Sequence, residues 1–140
     1  MKTFFDPSAY AKRFIEEDGS DIVEDICMQT TSLGLSIICL PEIISALNKQ
    51  VREKNITLRD YGVIKKRLLE EIQDAVIINI TPKVIFKSLE LLENNVLRAM
   101  DSLHLACAIE WNSDLFVSSD QRQITAARKS SLANRFISSG

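Results

Sequence analysis

Four short apolar runs divide this chain, and a helical pattern follows each of them. Lys2–Phe5 (KTFF), residues 36–40 (SIICL), residues 75–80 (AVIINI) and Leu115–Ser118 (LFVS) are too short for buried helices and bounded as strands are. Between them the apolar spacing turns helical. Pro7 opens a helix through Tyr10, Phe14 and Ile15 to a stop at Gly19, and Ser20 or Asp21 caps a second through Ile22, Val23, Ile26 and Cys27. Pro41 and Glu42 open a long helix with Ile43, Ile44, Leu47 and Val51 on one face. Thr57, with Asp60 three residues on, is a capping arrangement for a helix to about Ile72. Pro82 starts a helix through Val84, Ile85, Leu89 and Leu92, Asn94 or Asn95 caps the next, and Gln121–Lys129 is a short last helix. Residues 136–137 form a weak edge strand. Strands that are apolar throughout, alternating with helices, predict an α/β fold: a three-layer α/β/α sandwich around a four- to five-stranded parallel sheet.

In such sheets ligands bind outside the carboxyl ends of the strands. That rule sorts the acids. Asp6 ends the first strand, Glu42 lies two residues past the second as read here, and Asp120 closes the fourth. The helix carrying Asp101 returns to the same edge. Asp6, Glu42 and Asp120 each have a plain structural role available, as N-cap or first-turn acids. Asp101 does not: a helix capped at Asn95 places it in the second turn, on the face shared with Leu105 and Ala108. A carboxylate there needs a partner, because burying an unpaired charge costs several kcal/mol or shifts its pKa. Four convergent acids repel unless protonated or bridged. Hard divalent cations bound through oxygen resolve the repulsion, and such ions activate water for phosphodiester cleavage. Ser8 and Ser118 are hydroxyls beside the cluster, suited to positioning substrate or water. His104, three residues after Asp101, is the chain's one histidine. Alone on an apolar face it reads first as a core residue and second as a ligand. Lys12, Arg13, Lys49, Arg52 and Arg98 are candidates to guide a phosphate backbone, though helix-face charges are usually only solvated.

Composition sets few further limits. The chain's 140 residues suit one domain, 1–140, and the Gly and Pro counts of 4 and 3 leave no visible linker. The net charge of −2 lends no support to a nucleic-acid partner. Setting aside four acids bound to metal, however, 17 basic residues face 15 acidic ones. Cys27, Cys39 and Cys107 have no zinc or disulfide spacing and read as inert thiols of a reducing cytoplasm. The start, MKTFFDPSAYAKRF, is neither a signal peptide nor an anchor, and no apolar stretch is long enough for a bilayer, so no membrane association is expected.

Three segments, FFDPSAYAKRFIEEDGS, LPEIISALNK and LRAMDSLHLACAIEWNSDLFVSSD, taken in order and spacing, resemble the PIN-domain family, and within it the VapC-type toxins of toxin–antitoxin pairs. The resemblance spans essentially the whole chain. It implies a ribonuclease dependent on Mg²⁺ or Mn²⁺, with Asp6, Glu42, Asp101 and Asp120 as catalytic and metal-binding acids and Ser8 and Ser118 as the accompanying hydroxyls. Pro7 departs from the pattern, where Thr or another small residue is more usual. The resemblance further implies an RNA substrate, a homodimer, a cognate VapB-like antitoxin covering the site, and operator DNA bound only through the antitoxin complex. The alternative is a non-catalytic module using the same fold to bind RNA or a partner. Phosphoryl chemistry on an aspartate fits less well: Ser8 stands where a phosphatase of that kind has a second Asp, and the third strand ends in Asn79-Ile80-Thr81 rather than an acceptor Asp.

Overall fold

The computed structural model describes residues 1–138; residues 139 and 140, the end of the expected domain, lie outside the described residues. Five strands form one sheet: β1 (Lys2–Phe5), β2 (Ser32–Ser36), β3 (Val76–Ile78), β4 (Leu115–Ser118) and β5 (Asn134–Phe136). Their order is β3-β2-β1-β4-β5 and every pairing is parallel. The helices are α1 (Pro7–Tyr10), extended by a 3-10 turn at Ala11–Arg13, α2 (Ser20–Gln29), α3 (Cys39–Arg52), α4 (Leu58–Ile72), α5 (Pro82–Asn94), α6 (Ala99–Glu110) and α7 (Gln121–Lys129).

Successive strand side chains point to opposite faces, and the core divides accordingly. Phe5 and Val117 join Tyr10, Phe14, Val23, Ile43, Leu47 and Leu68, from α1 to α4, in one apolar layer. Phe4 and Phe116 join Val84, Leu91, Leu105, Ile124 and Ala127, from α5 to α7, in the other. The α/β/α sandwich expected from the sequence is therefore the fold. Among the described residues no helix is long and apolar enough to cross a membrane.

Several boundaries differ from expectation. The second strand is Ser32–Ser36, not residues 36–40, because β2 aligns Ser32, Leu33 and Gly34 with Lys2, Thr3 and Phe4 of β1. The apolar residues after it turn into α3 at Cys39, which leaves Pro41 in the first helical turn, where its missing N–H costs no bond. The third strand shrinks to Val76–Ile78, and the last strand lies at Asn134–Phe136 rather than 136–137. The first helix ends at Arg13, including its 3-10 turn, and does not run on to Gly19. Gly19 instead caps α2 with a left-handed φ of 91°, a conformation that favours glycine. Asn94 and Asn95 do not cap α6, which begins at Ala99 with Arg98 in the cap position.

Candidate metal-binding and catalytic site

The strand ends put the first and last acids side by side. Asp6 follows β1, and its backbone N–H donates to the Val117 carbonyl of β4 at 2.9 Å. Its carboxylate caps α1: Oδ2 accepts from the Ser8 N–H at 3.1 Å and from the Ser8 hydroxyl at 2.5 Å. Asp120 follows β4 and caps α7 by accepting from the Arg122 N–H at 2.8 Å. Ser118 and Ser8 stand 3.5 Å apart through their hydroxyl oxygens. The Ser8 hydroxyl also accepts from the Ser119 N–H at 3.1 Å, and Ser118 from the Asp120 N–H at 2.9 Å. Two loops that lie 110 positions apart in the chain are thus fastened by these two serines.

Glu42 and Asp101 enter from helices. Glu42 lies in the first turn of α3, six residues beyond the end of β2 instead of two. Asp101 lies in the first turn of α6, not the second, because the helix starts at Ala99. It is also only half-buried, its carboxylate 3.4 Å from the exposed Arg98 guanidinium. Helical position therefore does not set Asp101 apart from the other acids. Its place in the cavity joins it to them: Asp6, Ser8, Glu42, Asp101 and Asp120 all line one cavity of about 390 Å³, beside Glu17, Gln50 and Arg98. Ser8, Arg98 and Asp120 also line a groove of about 870 Å³ with Lys12 and Arg122.

The charges in the cavity act on one another. The Asp101 carboxyl is pushed up to about 6, first by burial and then by the negative charges of Asp6 and Asp120; Arg98 opposes the rise and Glu42 adds to it. Burial also raises Asp6, against His104 and the hydrogen bonds from Ser8 and Gln123. A donor set made wholly of carboxylate oxygen suits a hard divalent cation. Among the described residues no group of three His, Cys, Asp or Glu side chains is arranged to hold a metal ion. Carboxylate oxygens are the donors that an ion of the Mg²⁺ kind takes, with one or two protein carboxylates and a shell completed by water and substrate oxygens.

His104 does not face the cavity as a ligand. It is fully buried, with Nδ1 2.8 Å from the Ser36 hydroxyl. Its Nε2 lies 3.1 Å from a Glu42 oxygen, within ion-pair distance but out of line for a hydrogen bond. Two candidate phosphate guides are occupied: Lys12 is buried and paired with Glu17 at 3.1 Å, and Arg13 binds Glu24 and Glu71. Arg98 remains exposed at the cavity rim. All three thiols are reduced and pushed up, chiefly by burial, Cys27 to about 11 and Cys107 to about 12.

One residue of the site was missed from sequence. Gln123 is fully buried, and its amide bonds Asp6, Ser118 and the Asp101 carbonyl. It shares a face of α7 with Ala126 and Ala127, and a polar residue at that spacing from two buried alanines is the signal that could have found it.

The family model for the PIN domain matches residues 4–129. Solved structures with the same fold include VapBC2 from Rickettsia felis bound to a DNA fragment from their promoter, 15% identical over 97% of this chain and 98% of that one, with a TM-score of 0.69. FitAcB from Neisseria gonorrhoeae is 13% identical over 94% and 95%, with a TM-score of 0.70. Mycobacterium tuberculosis VapC20, a sarcin-ricin loop cleaving toxin, is 14% identical over 89% and 94%, with a TM-score of 0.67. No curated protein sequence matches this one.

Proposed function

The chain belongs to the PIN-domain family, and from that premise we propose that it is a metal-dependent endoribonuclease, the VapC-type toxin of a toxin–antitoxin pair. One observation carries the reading: four carboxylates, after β1 and β4 and in the first turns of α3 and α6, line one cavity, where burial and then the charges of Asp6 and Asp120 raise the Asp101 pKa. Asp6, Glu42, Asp101 and Asp120 would hold Mg²⁺ or Mn²⁺ in this reading. Such an ion, when bound, activates a water toward the phosphodiester and stabilises the departing oxygen.

The chain's own residues supply position and charge. Ser8 fixes one oxygen of Asp6, and Ser118 fixes the backbone ahead of Asp120. Arg98, exposed at the rim, is placed to meet a phosphate as it enters. The acids hold cations and do not themselves attack. Solved structures of the fold include toxin–antitoxin complexes, and three of the structures are bound to DNA. They support a cognate antitoxin partner for this chain, with DNA bound by the complex; the homodimeric toxin and the cytoplasmic site of action rest on the family resemblance.

The test is cleavage of total cellular RNA by the wild type, Asp6→Asn and Asp101→Asn, with Mn²⁺, with Mg²⁺ and with EDTA. Discrete cuts that need metal and disappear in both variants are expected, by at least about 100-fold given how much such charge contributes to transition-state stabilisation. Full activity in both variants under saturating metal would sink the reading. RNA binding without cleavage across a broad panel would favour the non-catalytic module.

A further inference from the structure

Gln123 sits where three parts of the site meet. Its Nε2 donates to Asp6 Oδ1 at 2.9 Å and to the Asp101 backbone carbonyl at 3.1 Å. Its Oε1 accepts from the Ser118 hydroxyl at 2.6 Å. The amide can face only this way, because a carboxylate and a carbonyl accept and do not donate. Having given its proton to Gln123, the Ser118 hydroxyl accepts from the Asp120 N–H. One fully buried side chain therefore joins the end of β1, the start of α6 and the end of β4.

The same bonds divide the two oxygens of Asp6. Oδ2 accepts twice, from the Ser8 N–H and the Ser8 hydroxyl. Oδ1 accepts from Gln123. A carboxylate oxygen has about two acceptor positions, so Oδ1 keeps one.

We propose that Gln123 is a positioning residue: it orients Asp6 so that Oδ1 is the oxygen left to a divalent cation, and it fixes the spacing from Asp6 to the α6 turn that bears Asp101. This rests on the metal-dependent reading above. A merely structural glutamine would affect stability and leave cation binding alone. A partner one shell out from a metal typically changes affinity by about 10–100-fold when removed, and that is the effect expected here.

The experiment needs no RNA. Mn²⁺ is titrated into the wild type, Asp6→Asn, Gln123→Leu and Gln123→Asn, the free ion is followed by electron paramagnetic resonance, and thermal unfolding is recorded alongside. Asparagine keeps the amide but is one carbon too short to reach all three partners, so it serves if the leucine variant does not fold. The expected result is a folded Gln123 variant whose Mn²⁺ affinity falls about tenfold or more, approaching Asp6→Asn. Wild-type affinity in a folded Gln123 variant, while Asp6→Asn loses the ion, would overturn the positioning role and leave the nuclease reading intact. Equal binding by the wild type and Asp6→Asn would remove Asp6 from the metal site, and both readings would fall.

Discussion

A single carboxyl ties the charge of the cavity to the stability of the fold. Asp101 titrates near 6 in the folded protein against an ordinary value of 3.8, chiefly through burial and then through Asp6 and Asp120. Between those values the folded chain holds a proton that the unfolded chain has released. Stability is thus fully present below about pH 4 and is lost as pH rises through about 6. Asp6, also raised by burial, acts with the same sign. In EDTA the melting temperature should fall from pH 4 to pH 7, and Asp101→Asn should flatten the profile and raise the melting temperature at pH 7. Identical profiles for the two proteins would mean that Asp101 does not carry the strain. The strand-end rule legibly placed Asp6 and Asp120, which follow β1 and β4, while Glu42 and Asp101 reach the same cavity from the first turns of α3 and α6. Asp101 does not stand in the second turn of its helix, which starts at Ala99, but it lines the cavity with the other three acids. Gln123 escaped notice because exposed Gln121 and Arg122 precede it, and its three partners come from elements remote in sequence.

The capping of α4, set within one turn, was legible, whereas the position of β2, set by distant residues, was not. The box at the start of α4 formed as read, Thr57 accepting from the Asp60 N–H and Asp60 from the Thr57 N–H, because both partners sit within one turn. The second strand was misplaced because residues 36–40 are its more apolar neighbours, while Ser32–Ser36 contains Gly34. That glycine reflects a contact from across the chain. A Cβ at Gly34 would fall 2.3 Å from Cζ3 of Trp111. The indole cannot easily give way: Phe4 packs against it with ring centroids 6.5 Å apart, and the Lys2 ammonium lies 4.5 Å from the ring centroid. Gly34→Ala should therefore destabilise the protein by about 1–3 kcal/mol, as overpacking of a filled core does. Urea unfolding measures it, and a midpoint unchanged from the wild type would show that the ring moves freely.

For the whole molecule, cation binding and folding should be linked. An ion that binds only the folded state adds RT ln(1 + [L]/Kd), about 2.7 kcal/mol at a hundredfold excess over Kd. For a chain of this length that is a rise in melting temperature on the order of 10 °C. Millimolar Mn²⁺ or Mg²⁺ should produce such a rise in the wild type and much less of one in Asp6→Asn, as scanning calorimetry would show. No rise in the wild type would count against cation binding by the four acids of the cavity.

The sheet order places β1, the first strand of the chain, at the centre, between β2 and β4. A ribosome makes β2 (Ser32–Ser36) well before β4 (Leu115–Ser118). At translation speeds of about 5–20 residues per second, roughly 6–23 s separate the synthesis of Asp6 from that of Asp120. Until then the central strand has a neighbour on one side only, and the cavity lacks one of its four acids. Under the metal-dependent reading proposed above, the cavity gains its fourth acid only once β4 has been made and can pair with β1.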